Sequence, residues 1–190
     1  MLEFEKKIML TEQEYNLLTT YKVKNTQSRI QTNYYFDTDD FDMNKKDITC
    51  RVRSENGKFK SIIKSHVGVN SDCSIESDVA FKDEFDPSAF SNMGLHMQGA
   101  LITERMVLYK NECCEMVLDR NIYLGMSDFE LEVEYTENSE DMALQLINVV
   151  AKGLVDADLI SSKEELLMRI GKSKSKSQRF FAQKQKTNKN

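Results

Sequence analysis

The sequence is poor in residues that interrupt secondary structure or ligate soft metals. Its 190 residues include one proline (Pro87), seven glycines, two histidines (His66 and His96) and no tryptophan. No linker rich in Gly, Pro or Ser divides the chain, and no fixed-period repeat runs through it. The four cysteines, Cys50, Cys73, Cys113 and Cys114, form no C-x-x-C pair, which argues against a zinc site or a disulfide framework. Any catalytic metal would therefore sit on carboxylates. No apolar run approaches the roughly 20 residues of a membrane helix. The first residues, Met1-Leu2-Glu3-Phe4-Glu5-Lys6-Lys7, lack the basic-then-apolar order of a secretory signal. A cytoplasmic protein without a membrane partner is expected.

What is present is enough for a packed fold. Apolar residues make up 40% and charged residues 30%, which excludes a disordered chain. The length suits a single domain over residues 1–190. The net charge of -5 hides an asymmetry: residues 171–190 carry seven basic side chains and no acidic one, leaving 19 basic against 31 acidic before them. An acidic body of net -12 with a basic tail disfavours nucleic acid, because the body would repel phosphate backbones. The basic tail reads first as solvated, or as one that docks onto the acidic body.

Helix signals are few. Thr11-Glu12-Gln13-Glu14 is a capping box opening a helix with Tyr15, Leu18 and Tyr21 on one face. Asp86-Pro87 starts a short helix, and Ser139 caps a longer one with Met142, Leu146, Val149 and Val150 as its apolar stripe. A second capping box at Ser162–Glu165 opens a helix that stops near Gly171. The remainder alternates with period two and reads as strands over 2–10, 30–37, 47–55, 58–65, 74–81, 103–110, 114–119 and 128–136. Asn56-Gly57 marks a hairpin. About eight antiparallel strands with a few helices predict an α+β fold whose sheet closes into a β-barrel.

The strand faces carry the functional signal. Residues i and i+2 share a face, so Glu3, Glu5 and Lys7 lie opposite Leu2, Phe4 and Ile8. Arg51 and Arg53, Lys60 and Lys64, Glu76 and Asp78, and Glu130, Glu132 and Glu134 form similar charged faces backed by apolar ones. One such strand is a sheet with a side in water. Many of them, with both signs in blocks and apolar backs that need burial, predict a barrel with charges inward and helices outside. Like charges at close range are costly unless an opposite charge fills the space. A polyanion would satisfy the lysines and arginines, and Mg²⁺ or Mn²⁺ would satisfy the carboxylates while bridging to phosphates.

The same residues, in order, resemble the CYTH domain, or triphosphate tunnel metalloenzyme, superfamily. Glu3-Phe4-Glu5-Lys6-Lys7 is similar to its N-terminal E-x-E-x-K element, as in the small bacterial branch. Asn33-Tyr34-Tyr35-Phe36-Asp37-Thr38 resembles its aromatic "YFDT" strand, Arg51-Val52-Arg53 its R-x-R strand, and Ser61-Ile62-Ile63-Lys64 its "TLK" segment. Glu76 with Asp78, Arg105, and Glu130-Leu131-Glu132 match its later charged strands. Ser175-Lys176-Ser177-Gln178-Arg179 resembles the C-terminal element that closes the tunnel. Three positions depart: Ser74 stands where the family often has Arg, Ile62 where it has Thr, and Thr103 where it often has Lys.

The resemblance implies an eight-stranded antiparallel tunnel that binds a triphosphate-containing small molecule with Mg²⁺ or Mn²⁺. Residues 171–190 would close it. Lys7, Arg51, Arg53, Lys64, Arg105, Lys176 and Arg179 are then assigned to the phosphates, and Glu3, Glu5, Glu76, Glu130 and Glu132 to the metal. Glu5, Lys7, Arg53 and Glu132 are the expected catalytic set. Glu134 is expected at a solvated mouth, Asp119 either organises an interior arginine or ends a strand, Tyr34 and Phe36 are core, and His66 is loop. Metal-dependent hydrolysis leads. ATP cyclisation of the class IV adenylyl cyclase kind, or triphosphate or polyphosphate binding without turnover, are the alternatives, and a homodimer is allowed.

Overall fold

The computed structural model describes residues 2–21, 28–66 and 73–187. Its strands are β1 (Leu2–Leu10), β2 (Ser28–Asp37), β3 (Ile48–Glu55), β4 (Lys58–His66), β5 (Cys73–Lys82), β6 (His96–Lys110), β7 (Cys114–Tyr123) and β8 (Met126–Tyr135). They close into an antiparallel barrel in the order β1-β5-β4-β3-β2-β6-β7-β8. The fold is α+β, with charged residues buried inside and helices outside. Asn56 and Gly57 both take positive φ, +52° and +74°, as the tight turn between β3 and β4 requires. His66, expected in a loop, is the last residue of β4.

The sheath divides into two patches. Outward side chains of β1, β7 and β8, among them Ile8, Leu10, Met116, Leu118, Leu131 and Val133, pack with Leu18 of α1 (Glu12–Thr19) and with α4 (Glu140–Asp156). The expected capping box of α1 is formed: Thr11 N–H donates to Glu14 (2.7 Å) and Glu14 N–H to the Thr11 hydroxyl (3.2 Å). Of the expected α4 stripe, Val150 is buried and Leu146 packs against the core, but Met142 and Val149 are exposed. Ala143, Ile147, Val150, Ala151 and Leu154 are buried, whereas Val149 is 70% exposed. Ser139 sits at the N-cap position, but its hydroxyl bonds Thr136 (2.7 Å) instead of the helix backbone. Burying each large aliphatic here is worth about 1.5–3 kcal/mol.

The second patch covers β2 and β3. Phe36, Cys50 and Val52 meet Phe90 of α3 (Ser88–Ser91) and Leu95, with Met43 of α2 (Asp42–Lys45) against them. Phe36 is core as expected, and Tyr34 packs edge-on to Phe85 at 4.9 Å. The helix expected after Ser162 forms as α5 (Lys163–Leu167), with the Ser162 hydroxyl accepting from Glu165 N–H.

The basic C-terminal segment forms α6 (Lys176–Thr187). A capping box starts it: Gln178 N–H donates to the Ser175 hydroxyl (3.3 Å) and Ser175 N–H to the Gln178 side-chain oxygen Oε1 (3.0 Å). Phe180 and Phe181 are buried against Tyr35, Leu101 and Tyr123, which point inward from β2, β6 and β7. The helix thus plugs one end of the barrel. Gly99 makes room for it: a Cβ there would lie 2.9 Å from the Phe180 ring, and its φ of +142° disfavours any side chain.

Candidate functional site

The register of neighbouring strands brings the charged side chains together on the inner face. Cross-strand partners on one face are about 5 Å apart, and the ladders set Lys7 opposite Glu132, Lys64 opposite Glu76, Arg105 opposite Asp119, Asp119 opposite Glu130, and Asn33 opposite Arg53. All of these face inward. One cavity collects Glu3, Glu5 and Lys7 from β1, Arg51 and Arg53 from β3, Lys64 from β4 and Glu76 from β5. Arg105 of β6, Glu132 and Glu134 of β8 and Lys176 of α6 complete its charged lining, with Gln31, Asn33, Thr49, Ser175 and Ser177 between them.

Ten of the residues assigned from sequence therefore meet in one space. Two lie beside it. Glu130 is fully buried, and Arg179 binds Asp128 (2.8 Å) and Glu130 (2.8 Å) rather than facing the cavity. Lys60 lies at the barrel mouth, where it pairs with Asp78 at 2.8 Å. Glu134 is 45% exposed, as a mouth residue should be, yet it accepts from Arg105 (3.1 Å).

The acids of β7 and β8 are densely countered. Arg105 donates to both Asp119 oxygens (2.9 and 2.7 Å) and to Glu132 (2.5 Å). Lys7 lies 3.2 Å from both Glu5 and Glu132. Lys176 Nζ lies 2.8 Å from Glu132 and 3.0 Å from Asp119, and it contacts Glu130. Burial opposes the charged form of Glu5, but the ammoniums of Lys7 and Lys64 outweigh it and hold the carboxyl at about 2. Glu130 and Glu132 are likewise buried, and Lys176 leads the cations that keep both below the usual carboxylate range.

The β2–β3 wall is different. Arg51 is bound to Glu76 (2.7 Å), but Arg53 donates only to the Asn33 side-chain oxygen (3.0 Å) and has no carboxylate within 4 Å among the described residues. Burial and the neighbouring Arg51 pull its value down to about 10. The hydroxyl of Tyr35 and Nε of Arg51, cross-strand neighbours, are buried and unpartnered among the described residues.

The donor set fits a hard divalent cation. Asp119, Glu130 and Glu132 each bring an oxygen within 4.8 Å of the others, no histidine or cysteine joins them, and an ammonium already stands where a cation would.

The sequence left Asp119 undecided and missed Tyr35, Asn33, Thr49 and Ser177. Tyr35 was findable, since it shares parity with Asn33 and opposes the parity of Tyr34 and Phe36. The capping box that presents Lys176, Ser175 to Gln178, was also legible.

A family model for the CYTH domain matches residues 1–153. The Bacillus subtilis (strain 168) protein named "Putative triphosphatase YjbK" is 31% identical over 147 residues, covering 70% of this chain and 77% of the relative. The crystal structure of a "putative adenylate cyclase" from Bacillus halodurans superposes with a TM-score of 0.62 at 20% identity, over 94% of this chain and 97% of that one. A Hippeastrum "putative adenylyl cyclase", described as having a dominant triphosphatase activity, gives 0.54 at 18% identity over 82% and 86%. At these identities the two structures speak for the fold alone.

Proposed function

This chain belongs to the CYTH domain family, and on that premise we propose that it is a metal-dependent triphosphatase, hydrolysing inorganic triphosphate or a small organic or nucleoside triphosphate. One observation carries the reading. Six cations from four strands and a helix converge with carboxylates on one cavity, and one of them, Arg53, has no carboxylate partner among the described residues. That is a place for a compact polyanion.

Phosphoryl transfer asks the protein for positioning and charge stabilisation rather than covalent chemistry. Arg51, Arg53 and Arg105 offer forked donors, and Lys7, Lys64 and Lys176 offer point charges. Together they would hold the phosphate chain along the tunnel and stabilise charge on the leaving phosphates. Asp119, Glu130 and Glu132 would hold Mg²⁺ or Mn²⁺, with Glu3, Glu5 and Glu76 the further acids of the cavity. When bound, the cation neutralises phosphate charge and lowers the pKa of a water. Glu5, held at about 2, is a weak proton acceptor at neutral pH, which suits it to holding charge rather than to taking the proton. The setting we propose is the cytoplasm; among the described residues no helix is long and apolar enough to cross a membrane.

The test is phosphate release from inorganic triphosphate, thiamine triphosphate, ATP and long polyphosphate, with cyclic AMP measured in the same tubes. The reading expects phosphate with Mg²⁺ or Mn²⁺, none in EDTA, and little with Zn²⁺. Full hydrolysis in metal-free buffer would refute the metal, and cyclic AMP as the main product would replace hydrolysis by cyclisation. Binding without product would leave a passive binder.

A further inference from the structure

The acids that fit a divalent cation are already gathered by one side chain. Lys176 Nζ lies 3.0 Å from Asp119 and 2.8 Å from Glu132 and touches Glu130. Those same three residues bring their oxygens within 4.8 Å of one another. A buried ammonium ringed by three carboxylates has the position and the sign of charge that a small hard cation would have. Both cannot be there: the ammonium fills the contact shell, and a dication beside it would face it across a few ångströms of low-dielectric interior.

We infer that Lys176 and the divalent cation are rivals for one seat, so that the resting protein resists free metal and triphosphate opens the seat by drawing Lys176 away. The anion's identity rests on the triphosphatase reading; the rivalry rests on the geometry.

Three further observations support it. The acids are closed to a newcomer by other cations too: Asp119 by both forks of Arg105, Glu132 by Lys7, and Glu130 by Arg179 at 2.8 Å. Lys176 also lines the cavity, so its ammonium borders the space a phosphate chain would occupy and can turn to it without unwinding α6. The helix itself is fixed by buried Phe180 and Phe181, which confines the change to the Lys176 side chain and the capping turn. A bare dication adds charge to a site with its counter-ions in place, whereas a polyanion gives Lys176 somewhere else to go. Metal and triphosphate are then taken up together, each raising the affinity for the other.

The experiment is Mn²⁺ binding without phosphate, followed by the electron paramagnetic resonance signal of the free ion. It compares the wild type with Lys176→Met, which keeps the apolar stem and removes the charge. Removing the rival should tighten Mn²⁺ binding at least about tenfold, the lower end of what a charge-assisted contact is worth. Mn²⁺ should likewise raise the melting temperature of Lys176→Met more than that of the wild type. Should Lys176→Met not fold, Lys176→Gln, which keeps a donor for the acids, serves the same comparison. Equal affinities, or weaker binding in the variant, would overturn the rivalry. Phosphate release by the wild type reports separately: hydrolysis without an affinity gain removes only the rivalry, and an affinity gain without hydrolysis removes only the triphosphatase reading.

Discussion

The β7–β8 wall of the tunnel and its β2–β3 wall carry opposite charges and treat them in opposite ways. On the acidic wall Asp119, Glu130 and Glu132 each hold at least two cations, one of them Lys176 from the far end of the chain. On the basic wall Arg53 has an amide oxygen and no carboxylate among the described residues. The acids are satisfied by the protein itself, whereas on the basic wall Arg51 has Glu76 but Arg53 has no carboxylate among the described residues. The difference shows how so many charges can be buried while one guanidinium keeps no carboxylate of its own among the described residues.

Breaking the acidic wall should have the largest effect. Glu132→Gln leaves Lys7, Arg105 and Lys176 each short of a partner, and stranding buried charge costs about 3–5 kcal/mol. Turnover should fall about 10² or more, as when a key transition-state group is lost. Thermal melts and phosphate release check this, and an unchanged melt would mean that the wall is not an interlocked unit.

The basic wall should respond in binding and not in folding. Arg53→Ala should raise the half-saturating triphosphate concentration about 10- to 150-fold, the worth of a charge-assisted contact. Its melting temperature should hold or rise, because the variant relieves repulsion from Arg51. A melt lowered as far as that of Glu132→Gln would erase the contrast.

Acid should loosen the acidic side of the tunnel. Glu5 titrates at about 2 in the fold against an ordinary 4.5. A depressed folded value means that its contribution is complete above about pH 4.5 and is lost as pH falls towards 2. Urea midpoints should drop across that window, and less steeply in Glu5→Gln. An equal drop in both proteins would assign the effect to other carboxylates.

The smallest effect belongs to the mouth. Lys60 and Asp78 pair at 2.8 Å, but their side chains are 35% and 60% exposed. Lys60→Ala should change stability by no more than about 1 kcal/mol, measured by the same melts. A larger loss would extend the tight pairing of the interior out to the rim.

Much of the fold was legible because it is written locally. Thr11 with Glu14, and Ser162 with Glu165, name their helices, and Asn56-Gly57 names its hairpin. Other features were not. The α4 stripe was right at Val150 and Leu146 but wrong at Met142 and Val149, because Ala143 and Ala151, weak as hydrophobic signals, share the buried face. Closure by residues 171–190 was expected from the resemblance, but their sparse apolar content gave no sign of the helix whose Phe180 and Phe181 are buried there.

The sequence by itself determined which side chains share a strand face, because the period of two is a property of the extended backbone. That was enough to put Glu5, Lys7, Arg51, Arg53, Lys64, Arg105 and Glu132 on inward faces, and all seven line the cavity. Only the tertiary structure decided which charge answers which. Arg105 meets Glu132 across 27 positions, and Lys176 meets Glu132 across 44. Those distances follow from register, from barrel closure and from the docking of α6, none of which a strand's own residues specify. For the same reason the lack of a carboxylate beside Arg53 among the described residues lies beyond a list of charged residues: it depends on what every neighbouring strand brings within reach.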